Sequence, residues 1–226
     1  MKPIMRQSWR DLTFVHWPYE AKFVRPLIPR ELELDLFDGM AWIGLVPFRI
    51  VDLTLPQSPA IPWLSHFCET NVRTYVRNRR GEAGVWFFSL DAARLAAVIG
   101  ARAAYALPYF WAKMRLVRTA QRVSYWSSRR MNGPAECDLE IETGERIERH
   151  DARDIFLTKR MCLYAERGRK LLKADIEHPE WPLQRGRVLR LRESLVRATS
   201  LPDPAGEALV HFSGSIDVLV EWPKLD

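Results

Sequence analysis

Cysteine is scarce in this chain. Cys68, Cys137 and Cys162 are widely spaced, odd in number and never in a C-x-x-C pair. That usage argues against a disulfide framework or a cysteine zinc site and fits thiols kept reduced in a cytosol. Long apolar runs are also lacking: no stretch reaches the ~20 residues of a membrane-spanning helix. Lys2, Arg6 and Arg10 near the start have no apolar segment behind them of the kind a secretory signal carries. The expectation is a soluble, cytoplasmic protein with no membrane partner. The glycines build neither a phosphate loop nor a dinucleotide fingerprint. His16, His66, His150, His178 and His211 never fall into H-x-H, H-x-x-x-H or H-E-x-x-H spacing. Ser89 and Asp91 stand outside any G-x-S-x-G elbow. No metal and no cofactor is therefore expected. No repeat, low-complexity stretch or linker divides residues 1–226, so a single domain is expected.

What is present is an ordinary globular balance, 47% hydrophobic and 27% charged, which disfavours disorder. The aromatic supply is rich, with nine Trp, ten Phe and six Tyr to fill a barrel or line a pocket. The net charge of +6 permits an anionic ligand or nucleic acid without selecting either. The densest basic segment holds Arg185, Arg187, Arg190, Arg192 and Arg197. Leu189, Leu191, Leu195 and Val196 interrupt it, the pattern of an amphipathic element with a solvated face. No nucleic-acid partner is expected, and a nucleic-acid or partner-binding module through Arg185–Arg197 stands as an alternative reading.

Periodicity predicts many short strands. Leu12–Trp17 is apolar, and Met40–Val51 is aromatic and β-branched, with Pro47 implying an edge or a bulge. Arg30–Leu34 reads as a short helix or turn ending at Asp38-Gly39, and Leu53–Pro62 as a Pro-rich loop. Phe67–Arg77 alternates most clearly and pairs with Val85–Leu90 as a hairpin across Asn78–Gly81. Asp91–Ala104 is the best helix candidate, with Ser89 or Asp91 as its N-cap. Tyr109–Val117, Gln121–Ser127 and Asp138–Glu142 read as strands, the last ending in a turn at Thr143-Gly144. Asp151–Lys159 reads as a short helix, Arg160–Glu166 with Lys170–Ile176 as a hairpin, and His178–Gln184 as an ordered loop in which His178 is structural. Leu189–Thr199 reads equally as helix or strand. Ala208–His211 and Ile216–Trp222 close the chain as two strands. The class is all-β barrel or β-rich α+β.

The strand period puts Glu69, Asn71, Arg73 and Tyr75 on one face and Thr70, Val72, Thr74 and Val76 on the other. A polar strand face can line a cavity, where Arg73 grips a carboxylate-bearing ligand through a forked hydrogen bond and a desolvated Glu69 acts as acid or base. The same pattern also describes a strand with one wet face. Tyr109, Trp111 and Lys113 share a second face if Tyr109–Val117 is extended. An amine among aromatics can be held neutral, as an imine-forming nucleophile requires, although a lysine at a strand end more commonly reaches for water.

Five strings run in the same order as in the YqjF-like family of unknown function: Asp38-Gly39-Met40-Ala41-Trp42-Ile43-Gly44-Leu45-Val46-Pro47-Phe48, Glu69-Thr70-Asn71-Val72-Arg73-Thr74-Tyr75-Val76, Leu107-Pro108-Tyr109-Phe110, Phe156-Leu157-Thr158, and His178-Pro179-x-Trp181-Pro182-Leu183. The chain resembles that family over nearly its whole length. The resemblance implies the acetoacetate-decarboxylase-like fold, a closed, strongly bent β-barrel with a central cavity and a few short helices. It also implies a small-molecule ligand, an organic acid or carbonyl compound, and leaves room for a homo-oligomer. Better-known relatives of that fold use a lysine Schiff base just after a Gly-Phe-Pro string. Here Ala106-Leu107-Pro108 matches that string, and Tyr109 and Phe110 stand where the lysines belong. The expectation is a pocket without decarboxylase lysine chemistry. The alternative is a lyase or aldolase-type enzyme using Lys113, four residues beyond Tyr109.

Overall fold

A computed structural model describes residues 5–55, 65–131 and 133–226. Among these described residues, thirteen strands and three α-helices follow one another as β1 (Met5–Tyr19), α1 (Ala21–Val24), β2 (Glu33–Leu34), β3 (Ala41–Thr54), β4 (Phe67–Arg77), β5 (Ala83–Ala92), α2 (Leu95–Tyr105), β6 (Tyr109–Arg118), β7 (Arg122–Arg129), β8 (Glu136–Arg146), α3 (Ala152–Thr158), β9 (Cys162–Arg167), β10 (Lys170–Glu177), β11 (Leu183–Glu193), β12 (Leu209–Val220) and β13 (Lys224–Leu225). No helix among the described residues is long and apolar enough to cross a membrane.

All the strands belong to one sheet, which returns to itself where β4 pairs with β5 and where β10 pairs with β12. One ring runs through β5, β6, β7, β8, β11, β12, β1, β3 and β4. The other replaces β6, β7, β8 and β11 by the β9–β10 hairpin. The second closure is a short seam, Ile176 opposite Val220 and Glu177 opposite Leu219. The wall common to both rings is buried on both faces over most of β3 and β4 and the middle of β1. On β1, Phe14 joins one core while Val15 and Trp17 join the other; on β3, Val46 and Phe48 separate in the same way from Ile43 and Leu45. On β4 the apolar side chain Val72 goes to the second core and the face of Glu69, Asn71, Arg73 and Tyr75 turns to the first.

Local chemistry accounts for the bends. Asp11 takes φ 50°, and the β1–β3 register breaks between Arg10 and Val15. Pro47 lies on β3 at that break, paired to Thr70 of β4 and to nothing on β1, so its missing N–H costs no ladder bond. The Pro47 expectation thus resolves to a bulge in an interior strand. The helix α3 starts with a reciprocal capping box: Asp151 accepts from the Asp154 N–H at 2.7 Å and Asp154 accepts from the Asp151 N–H at 3.2 Å.

Several expected boundaries are corrected. Neither Ser89 nor Asp91 caps α2: both lie on β5, and the Asp91 carboxylate is held by Arg129 at 2.6 and 3.1 Å. The helix starts at Leu95 without a side-chain cap, and Arg167 closes its other end by donating to the Ala103 and Ala104 carbonyls at 2.6 and 3.0 Å. Thr143-Gly144 is no turn, because β8 continues to Arg146 beside β11. Arg30–Leu34 is a turn leading into β2. Leu189–Thr199 divides into the end of β11 and one 3-10 turn. The two closing strands are the single strand β12. The expected loop Leu53–Pro62 lies largely outside the described residues.

Gly84 marks a tight strand contact. A Cβ there would sit 2.7 Å from both Cys162 Sγ and Tyr164 Cε2 and 2.9 Å from the Cys162 carbonyl oxygen. Gly84→Ala is expected to cost about 1–3 kcal/mol in urea unfolding through overpacking. Gly100→Ala in α2, where a Cβ meets nothing within 4 Å, is expected to gain about 0.5–1 kcal/mol from helix propensity.

Candidate functional site

The first core contains a cavity of about 360 Å³ between the shared strands and β9–β10, beneath α2. Most of its wall is apolar. Trp9 and Leu12 come from β1, Phe48 and Ile50 from β3, and Phe87 and Leu90 from β5. Ala97, Gly100, Ala101 and Ala104 of α2 form a roof of small side chains that leaves the space open.

The polar lining comes chiefly from β4. Glu69, Asn71 and Arg73 all face the cavity, as the strand period predicts. Glu69 is 3% exposed and accepts a hydrogen bond from the Tyr109 hydroxyl at 2.8 Å. Burial pushes its carboxyl up to about 7, and the negative Asp91 nearby pushes the same way, against the lowering effect of the Tyr109 and Asn71 hydrogen bonds. The Tyr109 hydroxyl is in turn held well above its ordinary value by burial and by Glu69.

Arg73 is 8% exposed. Its guanidinium lies 5.2 Å from the Phe14 ring centroid and 5.8 Å from that of Tyr75. The Nε donor is buried without a partner. Two comparably buried guanidinium groups have carboxylates of their own: Arg129 with Asp91 at 2.6 Å, and Arg160 with Asp35 at 2.5 Å. Arg73 forms no salt bridge among the described residues. A charge withdrawn from water costs several kcal/mol unless it is paired. Trp9 Nε1 and Arg160 Nη2 are further cavity-lining donors without partners, and Gln7 Oε1 and Asn71 Oδ1 are acceptors without donors.

Tyr75 lies beneath the cavity. Its hydroxyl donates to the Leu157 carbonyl at 2.7 Å and stands 2.5 Å from His16 Nε2, so the imidazole donates to it. Burial and the Arg73 charge hold His16 well below the usual histidine range, and the ring is neutral. Gly44 makes room for this packing, because a Cβ there would come within 3.0 Å of His16 Nε2.

The second expected face is taken apart. Tyr109 enters the cavity wall, whereas Trp111 packs partly buried under Arg130, 4.9 Å from its ring. Lys113 is exposed, with Nζ 5.9 Å from the Trp126 ring centroid, and does not line the cavity. The strand β6 leaves the cavity edge after Tyr109, so the shared-face argument does not carry Lys113 inside. No lysine lines the cavity among the described residues. The basic segment on β11 also has local partners: Arg187 pairs with Glu142 at 2.7 Å, and Arg190 with Asp138 and Glu140 at 3.0 and 2.7 Å.

Sequence reasoning missed Gln7, Trp9, Arg160 and the α2 roof, and assigned His178 to a structural loop although it also lines the cavity. Gln7 and Trp9 alternate on β1, a signal that was available. Arg160 follows α3 and reaches the site only through the fold.

The family model DUF2071, described as an uncharacterized conserved protein, matches residues 6–217. The chain belongs to the DUF2071 family. It is 36% identical over 222 residues to the uncharacterized protein YqjF of Bacillus subtilis strain 168, covering 97% of this chain and 91% of that protein. Among solved structures, the enduracididine biosynthesis enzyme MppR complexed with pyruvate aligns at a TM-score of 0.70 and 12% identity, covering 100% of this chain and 91% of MppR. An acetoacetate-decarboxylase-like enzyme from Sphingomonas wittichii RW1 aligns at 0.69 and 14%, covering 100% and 94%. This DUF2071 chain therefore carries the acetoacetate-decarboxylase-like fold.

The Glu69 environment of the DUF2071 cavity has a measurable signature. Between its ordinary 4.5 and about 7 the folded protein holds a proton that the unfolded chain has lost. Stability therefore falls as pH rises through that window and levels off above it. At about 1.36 kcal/mol per pH unit the loss reaches up to about 3 kcal/mol. Urea unfolding from pH 4 to 8 is expected to lose this component in Glu69→Gln, whose amide oxygen still accepts from Tyr109.

Proposed function

We propose that the cavity binds a small organic acid or carbonyl compound, with its carboxylate on Arg73. The observation that carries this reading is the Arg73 guanidinium, buried in an apolar cavity without a counterion among the described residues. A planar fork of donors suits a carboxylate better than a point charge does. Asn71 and Glu69 continue the polar face along β4, Glu69 as a group able to give or take a proton near neutrality. The fold relative MppR, complexed with pyruvate, is consistent with this ligand class. Three free cysteines suit a reducing, cytosolic setting.

Calorimetric titration with a panel of carboxylic and keto acids tests the reading. Arg73→Ala is expected to weaken binding about 10- to 100-fold, as the loss of a charge-assisted hydrogen-bonded pair does. Arg73→Lys, which keeps charge but loses the fork, should fall between. Equal affinity of wild type and Arg73→Ala for every acid would remove Arg73 from ligand binding.

A further inference from the structure

Resting on that reading of the cavity, we propose that the ligand is an elongated ω-hydroxy or ω-oxo carboxylic acid, bound with its carboxylate at Arg73 and its distal oxygen at Glu69, rather than a keto acid of pyruvate size.

The polar lining of β4 has two ends. Glu69 and Arg73 are four residues apart on one strand face, which separates their Cα atoms by about 13 Å at ~3.3 Å per residue. The Cα spacing is the upper limit of the gap: Glu69 is held by Tyr109 of β6 and by Asn71, its neighbour toward Arg73, while the guanidinium lies 5.2 Å from the Phe14 ring on β1 and 5.8 Å from that of Tyr75. The charges follow the same division: Arg73 acts on His16, Tyr75 and His178, whereas the charge acting on Glu69 is Asp91.

Between the two ends the wall is mainly hydrocarbon and aromatic. Trp9 contacts Phe48 and stacks on Trp181, with ring centroids 5.3 and 6.1 Å apart. Leu90 lies across from Asn71 on β5. A three-carbon acid seated on Arg73 would leave this wall and the Glu69 end unfilled, in a cavity of about 360 Å³. That volume lies inside the range of about 300–1,000 Å³ usual for pockets that enclose much larger ligands.

The length follows from the gap. Taking about 2.9 Å for the hydrogen bond at each end leaves about 7 Å between the ligand's terminal oxygens. An extended chain covers about 1.2 Å per bond, so about six bonds span the full gap, and fewer where Glu69 inclines toward Asn71. That corresponds to an acid of about four to six carbons with oxygen at its far end. A terminal hydroxyl suits Glu69 in both protonation states, since it accepts from the acid and donates to the carboxylate. A terminal carbonyl suits the protonated form.

The test is calorimetric titration of the intact protein with three sets of probes: pyruvate and lactate; unbranched fatty acids from propanoate to decanoate; and ω-hydroxy acids of the same lengths. Affinity is expected to rise roughly three- to fourfold per methylene, the increment for burying one CH₂, and to peak at intermediate length. The ω-hydroxyl should add about fivefold or more near six carbons and little in short acids. Glu69→Leu should abolish the hydroxyl gain while keeping the chain-length gain, whereas Arg73→Ala should weaken the whole series. Pyruvate binding as tightly as 6-hydroxyhexanoate, with both lost in Arg73→Ala, would overturn the elongated ligand and leave the carboxylate site standing. A hydroxyl gain that survives Glu69→Leu would overturn the assignment of the distal end. No binding of any acid would overturn the carboxylate site itself, and this proposal with it.

Discussion

Strand β4, in the wall shared by the two rings, has no wet face, and much of the molecule follows from that. A strand buried on one side can send its polar residues to water. On β4 they must be satisfied inside the protein or by what the protein encloses. Thr74 donates to the Trp42 carbonyl at 3.0 Å, Tyr75 to Leu157, and Glu69 accepts from Tyr109. Arg73 is the member of this row whose charge the described residues leave unmatched. Its neighbours are arranged for that state: two aromatic rings flank the cation, and the nearby imidazole of His16 stays neutral instead of adding a second positive charge.

The contrast among the buried arginines separates structure from site. Arg129 and Arg160 sit at the boundaries of elements and hold Asp91 and Asp35 there, which fastens β7 to β5 and the end of α3 to the turn before β3. Removing either partner would strand a charge and strain the fold. Arg73 fastens nothing by ion pairing, although it spans the space between β1 and β4. Costly burial with a small structural return is what sets Arg73 apart as the proposed carboxylate site.

Much of this was legible in the sequence, for a definite reason. Alternation over Phe67–Arg77 is a period-two signal, and a period-two signal fixes which side chains share a face. The face of Glu69, Asn71, Arg73 and Tyr75 was therefore readable, and so was the hairpin with β5. What the period does not state is which face meets water, because on β4 neither does. The same rule failed on β6. Tyr109, Trp111 and Lys113 do alternate, but the strand pairs with the end of β5 for only three residues, Tyr109 to Trp111, and then departs with β7, so one face passes from cavity to solvent along its length. The boundary errors share a cause as well. Thr143-Gly144 reads as a turn and 212–215 falls between two expected strands, while neighbouring strands keep both extended.

The two closures of the sheet are unequal, and the inequality gives the cavity compliance. The ring through β6, β7, β8 and β11 joins the shared strands by three residue pairs at each end, whereas the β9–β10 hairpin that completes the cavity ring joins them by two pairs to β5 and two to β12. Ile176 and Val220, one of those pairs, themselves line the cavity. Pressure from a larger guest falls first on the two short joints of this hairpin, which lie apart from the packed ring on the other side of the shared wall. Cavity size in this architecture is thus mechanically decoupled from the core that holds the binding face in register, so capacity can drift while the geometry of the β4 face is preserved.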